Sequence, residues 1–537
     1  MTIEPFVPAG LPSPAEIAGW AGAYFPEFSA REAEQCEQGL ADLVHTSDTR
    51  VIGRAAAKAS AYAAKAGIHE DAWASLAQEF GGQAAGADGV ALADAAGFRP
   101  AVVSVREAES GILPAQAGRV AAGQGGSPKA NDSIIVGTKS LADIRRDFPV
   151  LAEKVNGHDL VWLDNGATTQ RPQAVIDRLV YFYQHENSNV HRGAHELAAR
   201  STDAYEGSRQ TVADFIHAPS KDNIVFVRGT TEGINLVAQA YVKQYLQPGD
   251  EIIVSLLEHH ANIVPWQLIA QETGAVIKVI PVDDKGNLLV AEYERLFTKR
   301  TKFVSVTHVS NTLGTVTPVA ELTAIAHRHG VRILIDGAQS IAHIPVDIQA
   351  IDADFFVFSG HKVFAPTGIG VVYGKQEVLE AAKPYQGGGN MIKDVTFERT
   401  IYNPAPNKFE AGTGSIADAV GLGAALEYIQ AIGMPAINQH EHDLLVYAEK
   451  EMAKVKGLHL IGHADHKASV LSFVLDGYDI TAVGEKLNQF GIAVRAGHHC
   501  AQPVLRHFGL EGTVRPTLAF YNSPEDIDAL VRALRSF

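Results

Sequence analysis

Cysteine is nearly missing from this chain: Cys36 and Cys500 are the only two in 537 residues. Two thiols cannot build a disulfide framework or a four-thiolate metal site, and such usage fits a reducing compartment. Positive charge is also short. There are 45 Lys and Arg against 61 Asp and Glu, a net charge of −16, which argues against general affinity for nucleic acid or an anionic membrane. No apolar run is long enough to span a bilayer. The start, Met1-Thr2-Ile3-Glu4-Pro5, lacks the basic and then apolar pattern of a secretory signal. These absences predict a cytoplasmic protein with no membrane partner, no nucleic-acid partner and no metal. What is present, 46% hydrophobic and 20% charged residues, describes globular material too long for one core, so two or three domains are expected.

Strand-forming runs are missing from about the first 135 residues, where alanine and glycine dominate. Ser13-Pro14-Ala15-Glu16 reads as a helix start, followed by Ile17, Trp20, Ala21, Tyr24 and Phe25 at helical spacing. Trp73, Leu76, Ala77 and Phe80 form a second short stripe, and residues 118–133 read as a flexible linker. Residues 1–135 are therefore expected to be an extension, partly helical and weakly ordered. From about Ser140 strands and helices alternate. The seven β-rich runs are Ile224–Val227, Ile252–Ser255, Val276–Ile280, Phe303–Thr307, Arg332–Ile335, Phe355–Phe358 and Gly370–Tyr373. They predict an α/β domain over 140–430: a mainly parallel seven-stranded sheet with helices on both faces. Its first residues are expected to join a smaller α+β domain over 431–537, with strands at Val470–Leu475 and Thr517–Tyr521.

Chemistry concentrates just past the predicted strands, where ligands bind in such sheets. Asp336 ends one strand, and Lys362 closes Phe358-Ser359-Gly360-His361-Lys362 after the next. An amine for a Schiff base and an anion for a ring nitrogen are the two groups that pyridoxal phosphate requires. Arg228-Gly229-Thr230-Thr231-Glu232-Gly233 leads from a strand to a helix expected near Ile234, a turn that presents free N–H groups and hydroxyls to a phosphate or is simply a capped helix. Ser359 and His361 offer further donors. His259 could stack on a flat ring and move protons, or be a satisfied histidine. Gln339 is a candidate for a ring oxygen, Asn311 for substrate or ring, and Arg515 for a substrate carboxylate. Cys500, in Arg495-Ala496-Gly497-His498-His499-Cys500, has the polar neighbours of a reactive thiol. Cys36, among glutamates, reads as inert.

The segments Leu163 to Thr169, Asn187 to Gly193, Arg228 to Gly233, Glu258 to Trp266, Asp336 to Gln339, Ser359 to Lys362, Phe409 to Thr413 and Arg495 to Cys500 together resemble the class V, fold-type I pyridoxal-phosphate enzymes, and within them the SUF-type (group II) cysteine desulfurases. The resemblance covers roughly residues 140–537. It implies that Lys362 holds the coenzyme, Asp336 pairs with its ring nitrogen, Gln339 with its ring oxygen, and His259 stacks on the ring. Thr230, Thr231, Ser359 and His361 would surround the phosphate, with Thr413 reaching across from the partner of a homodimer. Asn311 and Arg515 would hold the carboxylate of L-cysteine, with His191 and Arg495 lining the pocket. Cys500 would take the sulfur as a persulfide, L-alanine would leave, and an acceptor protein or thiol would collect the sulfur. The same fold also serves selenocysteine lyases and other β-lyases. Two departures stand out. Gly414 follows Gly412-Thr413 where the family has proline, and residues 1–135 are extra. That extension resembles the leader of family 2A encapsulin cargo desulfurases, which implies docking inside a protein shell.

Overall fold

The computed structural model describes residues 133–191 and 194–537. The predicted leader helices, Cys36 and most of the predicted linker lie outside the described residues.

Seven strands form the central sheet: β1 (Ile224–Val227), β2 (Glu251–Ser255), β3 (Val276–Ile280), β4 (Thr301–Thr307), β5 (Arg332–Asp336), β6 (Phe355–Ser359) and β7 (Gly370–Gly374). Their spatial order is β1-β7-β6-β5-β4-β2-β3. All neighbours run parallel except β7, which is antiparallel to both β6 and β1. The predicted runs are thus all strands, several of them a residue or two longer.

Side-chain alternation explains why the sheet sits between two layers. Ile224, Phe226, Ile253, Ile333, Ile335, Phe356 and Phe358 enter one apolar cluster. Val225, Val227, Ile252, Val254, Leu334, Phe355 and Val357 enter the other. Each such side chain fully buried contributes roughly 1.5–3 kcal/mol, and both faces must be covered to collect it. On the first face lie helices α1 (Gln173–His185) and α2 (Glu196–Phe215), both packed against α6 (Ile416–Ile432). The second face takes α3 (Thr230–Leu236) and α4 (Val264–Thr273), and α5 (Val319–Arg328) packs against β5 on the first.

A second sheet, with order β8-β9-β11-β10, comprises β8 (Leu458–Ile461), β9 (Ser472–Leu475), β10 (Arg495–Gly497) and β11 (Thr513–Arg515). It packs with α7 (Met434–Met452) and α8 (Pro524–Leu534) around Leu444, Leu445, Phe473, Val514 and Leu530. Val161 and Leu163 join that cluster, because Val161–Trp162 pairs in parallel with Ile492–Ala493. The strand predicted at Thr517–Tyr521 is absent. Pro516 has no N–H for a ladder, Thr517 makes only isolated bridges to Asp164 and Val470, and the Asn522 N–H turns back to the Ala519 carbonyl at 2.8 Å. Among the described residues no single helix is long and apolar enough to cross a membrane.

Candidate active site

The carboxyl ends of β1, β4, β5 and β6 set the site. Gly229 extends straight from β1 (φ 161°, ψ 178°), so α3 begins at Thr230, four residues before the predicted start. A side chain on Gly370 would lie 2.5 Å from the Gly229 Cα and 2.7 Å from the Phe358 carbonyl oxygen. Only glycine lets β7 pass that closely. Ser359 then accepts the Thr230 N–H at 2.8 Å and shares a second hydrogen bond with its hydroxyl at 2.8 Å. Ser359 therefore braces the turn from below, while Thr231 remains exposed at its rim.

Lys362 ends the short turn Gly360–Lys362 that follows β6. Thr168 and Thr169 clamp this turn through the His361 carbonyl, at 2.9 Å from the Thr168 hydroxyl and 3.0 Å from the Thr169 N–H, and the Thr169 hydroxyl accepts the Phe364 N–H at 2.8 Å. Phe364 adopts a left-handed φ of 64°, rare for a bulky residue, and its buried ring is fixed edge-on against Phe148, Phe520 and Tyr521. Among the described residues the Lys362 amine makes no hydrogen bond. Desolvation lowers its pKa to about 8 against the upward pull of Asp336, while Arg515 and Arg495 push down and Cys500 pulls up. These five groups thus share one electrostatic neighbourhood.

Asp336, buried at the end of β5, accepts the Ala338 N–H at 2.9 Å. Burial raises its pKa, partly offset by that N–H and by Lys362. His259 accepts the Ala261 N–H on Nδ1 at 3.0 Å, which places its own proton on Nε2. Burial, with Lys362, His260 and Arg515 nearby, lowers its pKa to about 3, so the ring is neutral. His361 is likewise held down to about 4, chiefly by burial. Gln339 is buried, and its amide donates to the Gly166 carbonyl at 2.8 Å.

Cys500 arrives from the second sheet. Its carbonyl accepts the His260 N–H at 2.7 Å, and the Asn311 amide donates to the His499 carbonyl at 2.7 Å. His499 and Cys500 both adopt left-handed φ values, 52° and 54°. The loop is thus a tight turn pinned at two points, with the Cys500 side only partly covered. Arg515 is fully buried and donates to the Asn311 carbonyl at 2.7 Å; among the described residues its Nε has no partner, and neither does the buried Asn311 Oδ1. Buried orphans of this kind call for a polar ligand. Arg495 bonds Asp164 at 3.0 and 3.2 Å. Asp164, two residues past the strand Val161–Trp162, lies 3.7 Å from Arg515 as well, a role its sequence neighbours do not signal.

His191 and Thr413 line a 620 Å³ cavity together with Tyr205, Arg228, Glu232 and Glu410; it borders the 228–233 turn, and Lys362 is not among its lining residues. In the recess, an amine, a buried carboxylate, a neutral imidazole, an amide and a hydroxyl-rich turn match the aldehyde, ring nitrogen, ring face, ring oxygen and phosphate of pyridoxal phosphate. The donor set fits that group.

Residues 161–530 match the class-V aminotransferase family model. The chain is 63% identical over 395 residues to a cysteine desulfurase of Synechococcus elongatus, covering 74% of this chain and 63% of that protein's length. It is 49% identical to the cysteine desulfurase of Dickeya dadantii, covering 73% of this chain and 95% of that one. The crystal structure of the cysteine desulfurase CsdA from Escherichia coli, in an S-sulfonic acid form, superposes with a TM-score of 0.69 at 41% identity, covering 74% of this chain and 98% of that chain. The fold is that of the fold-type I pyridoxal-phosphate enzymes. Taken with the lysine, the aspartate and the cysteine loop, these likenesses mean that the chain belongs to the class-V aminotransferases and, among them, to the cysteine desulfurase family.

Proposed function

We propose that the protein is a pyridoxal-phosphate-dependent cysteine desulfurase of the SUF type, moving sulfur from L-cysteine onto Cys500 and releasing L-alanine. The observation that carries this reading is the Cys500 turn, pinned to His260 and Asn311 and coupled electrostatically to Lys362 and Arg515. When bound, the coenzyme supplies an aldehyde for the substrate amine and a ring that withdraws electrons.

The protein's own groups then divide the work. Lys362 would bind the aldehyde at rest. With a pKa near 8 it is partly neutral at physiological pH, so it can take the α-proton of cysteine and return it. Asp336 would hold the ring nitrogen protonated, Gln339 would face the ring oxygen, and neutral His259, with a proton available at Nε2, would stack on the ring. Thr230, Thr231, Ser359 and His361 would surround the phosphate. Arg515 and Asn311 hold the substrate carboxylate, with Arg495 at the mouth. The Cys500 sulfur attacks the substrate sulfur, an S–S bond forms, the C–S bond breaks, and the β-carbon gains the proton given up by the Cys500 thiol. Thr413 reaches across to the partner's phosphate site in a homodimer, and His191, on the same cavity as Thr413, lines a substrate pocket.

Cys500→Ala is expected to abolish alanine formation from cysteine while keeping the visible Schiff-base band. Lys362→Ala should lose that band and cut activity about 10³-fold. Alanine release from cysteine by Cys500→Ala at the normal rate would overturn the reading, and activity on selenocysteine alone in that variant would favour a selenocysteine lyase.

The likeness to solved desulfurases leaves out about the first quarter of the chain. We infer that residues 1–135 load the enzyme into an encapsulin shell in the cytoplasm. Co-purification with shell protein should be lost when they are removed; equal association of both forms would refute it.

A further inference from the structure

The resemblance has Thr413 reach across to the partner subunit and His191 line the substrate pocket, and the two line one cavity here, whose lining does not include Lys362. Arg209 accounts for their being together. Its side chain, on α2, is completely buried. Two of its nitrogens form a fork on Glu410 at 2.6 and 2.9 Å, and one of them also donates to the Ile224 carbonyl at 2.8 Å. Glu410 in turn accepts the Phe226 N–H of β1 at 2.8 Å and the Tyr205 hydroxyl at 3.2 Å. Thr413 follows three residues later, on a segment held by Gly412 N–H to the Gly389 carbonyl at 2.9 Å. The third nitrogen of Arg209 reaches Glu206 at 3.3 Å. The same Glu206 oxygen bonds the His191 ring at 3.1 Å, and its other oxygen takes Lys221 at 3.0 Å.

One planar guanidinium therefore spends all three nitrogens on a single frame that joins the His191 turn, β1 and the Thr413 loop. A lysine has the charge but not the fork. We propose that Arg209 is a positioning residue that fixes His191 and Thr413 as one edge, which each subunit presents to the catalytic recess of its partner. This rests on the dimeric, pyridoxal-phosphate-dependent reading above.

In the Arg209→Lys holoenzyme, the dissociation constant for pyridoxal phosphate and the KM for L-cysteine should each rise about tenfold, with the dimer intact by sedimentation. Mixed dimers decide where Arg209 acts. Pairing an Arg209→Lys subunit with a Lys362→Ala subunit leaves one intact lysine facing one intact edge, and wild-type KM should return at that single site. A mixed dimer that keeps the raised KM, or an Arg209→Lys homodimer with both values unchanged, overturns the proposal. If Arg209→Lys does not fold, Glu206→Gln tests one arm: KM should rise about threefold with coenzyme affinity unchanged, and loss of both or of neither refutes the frame. The parent reading fails on different evidence, namely a Schiff-base band that survives Lys362→Ala, or a monomer in solution.

Discussion

At the scale of single residues, burial keeps four histidines uncharged. Burial holds His259 near 3, His308 near 4, His361 near 4 and His499 near 2, against an ordinary histidine value of 6.5. The consequence for stability has a definite sign. Above pH 6.5 both folded and unfolded histidines are neutral. As pH falls from about 6.5 toward 4 the unfolded chain takes up protons that the folded protein refuses, and stability falls. His308 is the cleanest probe, since burial alone shifts it and its Nδ1 has no partner among the described residues. His308→Gln should flatten the dependence of Tm on pH in that window; an unchanged slope in thermal melts would show that His308 titrates normally. Lys362, Asp336 and Cys500 were legible because a short stretch of sequence contains their chemistry. Asp164 and Arg209 were not, since their importance comes from partners far along the chain: Arg495 and Arg515 for one, Glu410 for the other.

At the scale of elements the 228–233 turn depends on β7 running backwards between β1 and β6. Gly370 touches Gly229 backbone to backbone, so an added methyl has no flexible neighbour to displace. Gly370→Ala should cost about 1–3 kcal/mol in chemical denaturation and weaken coenzyme binding in a spectral titration; full affinity would show that the turn relaxes freely. The early start of α3 was hidden because adjacent threonines are weak helix formers. Ser359, on another strand, overrides that preference by bonding the Thr230 N–H and hydroxyl. The missing strand at Thr517–Tyr521 is the reverse case. Its residues suit a strand, but Pro516 and the Ala519–Asn522 turn, closed by the Asn522 side chain on the Ala519 N–H at 2.9 Å, deny it a ladder.

At the scale of the molecule, the sheet was readable from seven apolar runs, while the pairing of distant segments was not, because periodicity says nothing about partners. Arg145, near the start of the described chain, donates to Asp526 and the Tyr521 carbonyl, both at 2.8 Å, and so ties the helix Leu141–Arg146 to α8 near the carboxyl terminus. Since Arg145 is partly exposed, Arg145→Met should lower stability by only about 1–3 kcal/mol, leaving the KM for cysteine unchanged; a raised KM would mean that this tie also shapes the recess. The reversed β7 has a further consequence, for the order of folding. β1 is an edge strand that touches only β7 in the sheet, and β7 lies far downstream in sequence. On a growing polypeptide β1 must therefore wait, unpaired, until β5, β6 and finally β7 have been made. Such distant pairings form slowly and leave a strand edge open to wrong partners. The 228–233 turn hangs on that late strand, so on the proposed reading the new chain would gain its grip on the coenzyme's phosphate at about the moment its central sheet closes.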